Sequence, residues 1–340
     1  LEWQHALTYC EAIIRVYNLH GRRDNAYKAR IKILVKALGI EEFKRQVEEE
    51  WSYLKDAPNT IPEGELERVS KHFEAMPYET LPAHDAGFDT AIASNPAFAA
   101  WAKRSVHAHK TAGYRAVTLS LKPHGTAPGD ATTEQMHVVA DLADQYSFGE
   151  LRVSHEQNLI LADVKLSDLF TVWEKARANG LATPNIGLLT DIICCPGGDF
   201  CSLANAKSIP IATAIQMQFD NLDYLYDIGD IELNISGCMN ACGHHHIGHI
   251  GSLGVDKDGS EWYQVSIGGS QGNNASLGSV IGPSFSAEEM PSVVQKLIDV
   301  YIQERTPEEH FIDTVRRLGV APFKAHVYAT KNGAKEGVSA

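Results

Sequence analysis

The sequence predicts a mixed α+β and α/β protein of two or three domains. Three observations predict it. The first 55 residues carry helical spacing, a strand–helix alternation runs from Phe98 to Val164, and the remainder mixes short strands with helices. A chain of 340 residues that is 44% hydrophobic has enough apolar side chains for more than one core.

In chain order, Ile31, Leu34, Val35 and Leu38 form one helical stripe, and the run EEFKRQVEEEW follows it. From Asp56 to His84, Pro62, Pro77 and Pro82 interrupt a stretch with little periodicity, which reads as an extended linker. Arg115–Leu121 alternates as a strand does, and Pro123–Gly129 is a loop. Thr133–Tyr146 has helical spacing, Gly149–Leu161 reads as a strand pair or bend, and Leu166–Asn179 is helical again. Val255–Ile267 is expected to be a hairpin turning at DKDG, and Ala287–Arg305 a closing helix. The tail from Lys331 is expected to be disordered.

No stretch approaches the roughly 18 consecutive apolar residues of a membrane span, so no membrane partner is expected. A net charge of −13 also argues against nucleic-acid binding. Against that acidity, Gly21–Lys36 (GRRDNAYKARIKILVK) carries its basic residues against a single acid, Asp24. Such a block is either a solvated helix face or a site for an anion. The chain opens at Leu1 without a methionine or a recognisable leader, which reads as a piece of a longer protein.

Five of the six cysteines lie between Cys194 and Cys242, which suits metal binding in a reducing compartment such as the cytoplasm better than a disulfide framework. Cys195 and Cys201 form C-x5-C in a turn made by Pro196, Gly197 and Gly198. Cys238 and Cys242 form C-x3-C between Gly237 and Gly243. Four thiolates in two short loops can wrap a cubane iron–sulfur cluster, with glycines letting backbone approach it. Structural zinc, with the run His244-His245-His246 ligating beside Cys238 and Cys242, and unligated core cysteines stay open as alternatives. Adjacent loop residues point oppositely, so the spacing assigns the ligand role to Cys195 rather than Cys194. Cys10, alone, is expected to be a packing residue.

C-x5-C followed by Ser236-Gly237-Cys238-Met239-Asn240-Ala241-Cys242-Gly243 resembles the cluster signature of sirohaem-containing sulfite and nitrite reductases. Leu151–Leu161 (LRVSHEQNLIL) is similar to that family's R-x-[ST]-x-x-Q-N strand. Ile267-Gly268-Gly269 and the block from Asn25 to Lys32 also have counterparts there, in the same order. The resemblance implies a ferredoxin-like half-domain followed by a mixed α/β sirohaem and [4Fe–4S] domain. Its boundaries would be 1–55 for the helical end of a first repeat, 56–97 for a linker, 98–165 for the half-domain, 166–330 for the cluster domain and 331–340 for the tail.

It further implies a [4Fe–4S] cluster on Cys195, Cys201, Cys238 and Cys242, with Cys242 bridging to sirohaem. Arg30 and Lys32 become the expected catalytic pair, Arg30 binding substrate oxygens and Lys32 the better proton donor. Ser236, Asn240 and His244 are expected at the cofactor, and Arg152, Gln157 and Asn158 along its pocket or in structural roles. The implied reaction is the six-electron reduction of sulfite to sulfide, with nitrite to ammonia as the alternative. The electron donor would be a flavoprotein reductase or a ferredoxin, and a chain lacking the first repeat is expected to be poorly active. Two readings from other classes remain: an iron–sulfur electron-transfer or binding module without catalysis, and a zinc-stabilised scaffold.

Overall fold

A computed structural model describes residues 1–25 and 28–336. The chain divides into two units, Leu1–Pro77 and Tyr78–Ala340.

The first unit packs α1 (Ala6–His20), α2 (Ile31–Leu38) and α3 (Ile40–Ser52) around Ala12, Val16, Leu34, Phe43, Val47 and Leu54. Leu34, Val35 and Leu38 of the expected stripe meet this core, whereas Ile31, at its end, is exposed. Gly39 takes a φ of 82° to turn α2 into α3, a conformation that costs glycine nothing. The expected linker is not structureless. It holds α4 (Glu63–Ser70) and, further on, α5 (Ala86–Ser94) and the start of α6 (Pro96–Ser105). Caps rather than periodicity announce the last two. The Asp85 carboxylate accepts from Phe88 N–H at 2.7 Å, and the Asn95 side chain accepts from Phe98 N–H at 3.1 Å.

The second unit contains two sheets. In the first, β1 (Val106–Ala108), β2 (Tyr114–Leu119), β3 (Leu151–Val153) and β4 (Leu159–Lys165) lie in the order β1-β2-β4-β3, all neighbours antiparallel. Their apolar residues share one core with α6, α7 (Thr133–Tyr146) and α8 (Leu169–Ala178), including Phe98, Trp101, Leu142, Leu161 and Trp173. The expected boundary after residue 165 therefore falls too early, because Leu169, Val172 and Trp173 of α8 are buried in the half-domain core.

The second sheet is mixed. β5 (Ile193–Cys194), β6 (Leu233–Ser236) and β7 (Ile250–Lys257) run parallel, and β8 (Ser260–Ile267) and β9 (Ser279–Val280) continue antiparallel. The β7–β8 hairpin turns at Asp258-Gly259 with both φ angles positive, 55° and 79°, as a tight hairpin turn with this twist requires. Around this sheet pack α9 (Ile209–Gln218), α10 (Leu222–Ile228), α11 (Met290–Glu304), α12 (Phe311–Leu318) and α13 (Ala321–Glu336). The expected closing helix is thus followed by two more. Because Phe323 and Val327 anchor α13 in the core, the helix continues through residues 331–336 of the expected tail. Residues 337–340 lie outside the described residues. Among the described residues, no helix is long and apolar enough to cross a membrane.

Candidate functional site: two cysteine loops at the ends of parallel strands

β5 and β6 pair directly, Ile193 with Asn234 and Cys194 with Ile235. Each strand delivers one cysteine loop from its carboxyl end: Cys195 follows β5, and Gly237-Cys238 follow β6. Such ends of parallel strands are where open α/β sheets place their ligands. Strand register then brings the loops together. Cys195 N–H donates to Ile235 O at 3.1 Å, and Gly237 N–H points at Cys195 Sγ, also at 3.1 Å. An N–H aimed at sulfur is the kind of backbone contact that the ligand sulfurs of a metal centre accept. Ser208 Oγ lies 3.6 Å from the same sulfur.

Glycine lets the two loops pack backbone against backbone. Asn205 and Ala206 N–H both donate to Gly237 O, at 2.8 and 3.1 Å. A Cβ on Gly237 would meet Ala206 O at 2.6 Å, and one on Gly243 would meet Ile235 O at 2.0 Å. Cys195 and Cys238 are buried, Cys201 is half-buried and Cys242 is exposed. Among the described residues, no three His, Cys, Asp or Glu side chains converge on a position for a single metal ion. A cubane asks for a different arrangement, one sulfur per iron spread around a polynuclear body. Four thiols on two facing loops, with glycine walls and an N–H on sulfur, fit that demand.

Cys194 is turned away from this face. Its thiol donates to Cys195 O at 3.2 Å, and burial pushes its pKa far up, so it stays protonated. Cys10 is exposed on α1 and does not pack in a core, correcting the expectation from its lone position.

The other nominated residues separate. Ser236 is fully buried, and its hydroxyl accepts from Gly243 N–H at 3.1 Å, bracing the Cys238–Cys242 loop. Asn240 and His244 are exposed on that loop, and His244 O accepts from Asn234 Nδ2 at 3.1 Å. Beyond them His245 and His249 are buried, and desolvation pushes each down to about 4. Arg152 is exposed on β3 and paired with Glu150.

Gln157 and Asn158 are engaged by the protein itself. The Gln157 amide clamps the Cys194 backbone from both sides, donating to its O at 2.8 Å and accepting from its N–H at 2.7 Å. Asn158 Oδ1 accepts from Leu121 N–H at 3.1 Å, and its Nδ2 donates to Asp191 at 3.0 Å. Asp191 in turn pairs at 2.5 Å with the fully buried Lys122, a pair that no sequence signal marked. Arg30 and Lys32 stand two residues apart at the start of α2 in the N-terminal unit, both exposed, with Arg30 as the N-cap.

Residues 107–179 match the family described as the nitrite/sulfite reductase ferredoxin-like half domain. Among relatives, the ferredoxin–nitrite reductase of Synechococcus elongatus is 27% identical over 298 residues, 84% of this chain and 49% of its own length. The assimilatory ferredoxin-dependent nitrite reductase of Haloferax mediterranei is 26% identical, covering 93% of this chain and 50% of its own. Sulfite reductase [ferredoxin] 2 of Mycolicibacterium paratuberculosis is 24% identical, with 90% and 50% covered. This chain spans about half the length of the curated relatives it matches. In fold it is similar to the NirA protein of Mycobacterium tuberculosis, with a TM-score of 0.61, 23% identity, and 94% of this chain and 53% of that chain covered. Residues 1–54 and 188–335, which include both cysteine loops, match the nitrite and sulphite reductase 4Fe-4S domain, and the chain belongs to that family.

Proposed function

We propose that this chain forms the cluster-bearing part of a six-electron oxyanion reductase, with a [4Fe–4S] cluster on Cys195, Cys201, Cys238 and Cys242 and sirohaem joined through Cys242. The observation that carries the reading is the pair of cysteine loops facing each other from β5 and β6, with Gly237 N–H on Cys195 Sγ. When bound, these groups would relay the six electrons from the external donor to the substrate, and the residues of the chain do the rest. Cys195 and Cys238 hold from buried positions, the Ser236 hydroxyl fixes the turn that presents Cys242, and Gln157 holds β5 in place immediately before Cys195. Arg30 is assigned to clamp an anionic substrate, and Lys32 to deliver protons from Nζ. Their position at the N-terminus of α2 supports this, because the positive end of the helix dipole also favours an anion. Asn240 and His244, exposed beside Cys242, are assigned to cofactor contact.

The substrate is nitrite or sulfite. The expected tilt toward sulfite receives no support, since relatives are named for both anions. Ferredoxin is the proposed donor because those relatives carry it in their names; a flavoprotein reductase is the alternative outcome. A reducing compartment such as the cytoplasm suits six free thiols.

The test is anaerobic purification of the chain from cells that overproduce sirohaem, followed by metal analysis, absorption and electron paramagnetic resonance. Four irons of cluster per chain plus haem bands are expected, and Cys242→Ser should lose haem coupling. Ammonia or sulfide formed with reduced viologen then names the substrate. A colourless protein holding zinc would overturn the reading.

A further inference from the structure

Cys195 receives more than the Gly237 N–H. Ser208, fully buried, stands at the N-cap of α9, where a serine ordinarily turns its oxygen back onto an N–H of the first turn. Here it makes no such cap, and Pro210 in that turn removes one of the N–H groups it would take. Its Oγ faces Cys195 Sγ instead, at 3.6 Å.

Neighbouring residues hold the hydroxyl there. Lys207, one residue earlier, is pinned from β8: its N–H donates to Glu261 Oε2 at 3.1 Å, and its O accepts from Tyr263 Oη at 2.7 Å. On the other side Gly197 makes room, since a Cβ there would meet Ser208 N at 2.5 Å and Ser208 Oγ at 2.7 Å. Ser208 O accepts from Ala212 N–H at 3.0 Å and so begins α9, which places the hydroxyl on the positive end of a ten-residue helix.

Between a free thiol and a hydroxyl, either group can donate the proton. A sulfur bound to iron carries no proton, so the hydroxyl must then be the donor.

We propose that Ser208 is a positioning residue for electron entry: with the Gly237 N–H and the α9 N-terminus, it stabilises negative charge on Cys195 Sγ and so raises the reduction potential of the cluster. This inference rests on the cluster reading above. One electron from the external donor adds one negative charge, shared among the ligand sulfurs. No bond forms or breaks, and the proton stays on Ser208 Oγ. Donors fixed in a site closed to water favour that more negative state, which is how hydrogen bonds to sulfur set cluster potentials.

Redox titration of the anaerobically purified full chain, followed by electron paramagnetic resonance, tests it with Ser208→Ala and Ser208→Thr. Ser208→Ala is expected to keep the native iron content and to shift the reduction equilibrium about tenfold toward the oxidised form, about 59 mV for one electron. Ser208→Thr, which keeps the hydroxyl, should stay close to the native potential. In the reduced native chain, electron–nuclear double resonance should show an exchangeable proton that Ser208→Ala lacks. An unchanged potential in Ser208→Ala overturns the proposal. So does loss of iron in that variant, which would make Ser208 a structural residue, or a Ser208→Thr that falls as far as the alanine variant. A native chain without a four-iron cluster fails the reductase reading itself, whereas a loaded native chain with Ser208→Ala unshifted fails this proposal alone.

Discussion

Gly237 has no room for a β-carbon. Ala206 O and Gly197 Cα stand 2.6 and 2.8 Å from where it would sit, and both are backbone, which cannot swing aside. Gly237→Ala must therefore push the two cysteine loops apart, at a cost of about 1–3 kcal/mol. Urea denaturation together with the iron-to-protein ratio of the purified chain checks this, with both expected to fall. At this scale much of the site was legible, because C-x5-C and G-C-x3-C-G name the loop residues whatever fold carries them. Gln157 was harder to read. Its amide is matched to the Cys194 backbone, and only the passage of β5 alongside it reveals that match. Lys122 was invisible for the same reason: a lysine becomes a buried partner only when Asp191 arrives from 69 positions away.

Elements with local signals came through well. Residues Thr133–Tyr146 form α7 with the expected bounds, and Thr132 and Gln135 complete a capping box at its start. Thr132→Ala should cost about 0.5–2 kcal/mol, while Thr132→Ser should restore most of it, as read from thermal melting with intact α7 packing. The β7–β8 hairpin was likewise announced by its turn residues. Helices α4 and α5 were missed because three prolines suggested extended chain, whereas Pro62 sits at an N-cap, where it does not interrupt a helix. The early boundary at residue 165 has a similar origin. Only burial against Phe98 and Leu142 shows that α8 belongs with the preceding sheet.

For the whole molecule, His249 sets a pH dependence. Burial holds its pKa near 4 in the folded chain, against 6.5 when free; Asp230 and Asp313 raise it slightly, and Arg316 and His310 lower it. The unfolded chain therefore binds more protons between these values. Stability contributed by neutral His249 is complete above about pH 6.5 and falls toward pH 4, by up to about 3 kcal/mol. His245 acts in the same direction. Urea midpoints across this range should drop for the native chain and drop less for His249→Asn.

The Gln157 clamp and the Lys122–Asp191 pair have a consequence for modularity. Both reach from the half-domain into the segment that carries β5, so the first cysteine loop borrows its rigidity from a neighbouring sheet. Excising the cluster domain at its apparent border would leave Asp191 as a buried charge without its counterion and Cys194 with its Gln157 hydrogen bonds cut. Loops that look portable in sequence, as two short cysteine motifs, are in this architecture fixed fittings. An iron-binding fragment taken from this chain would have to carry the half-domain segment from Lys122 to Lys165 with it.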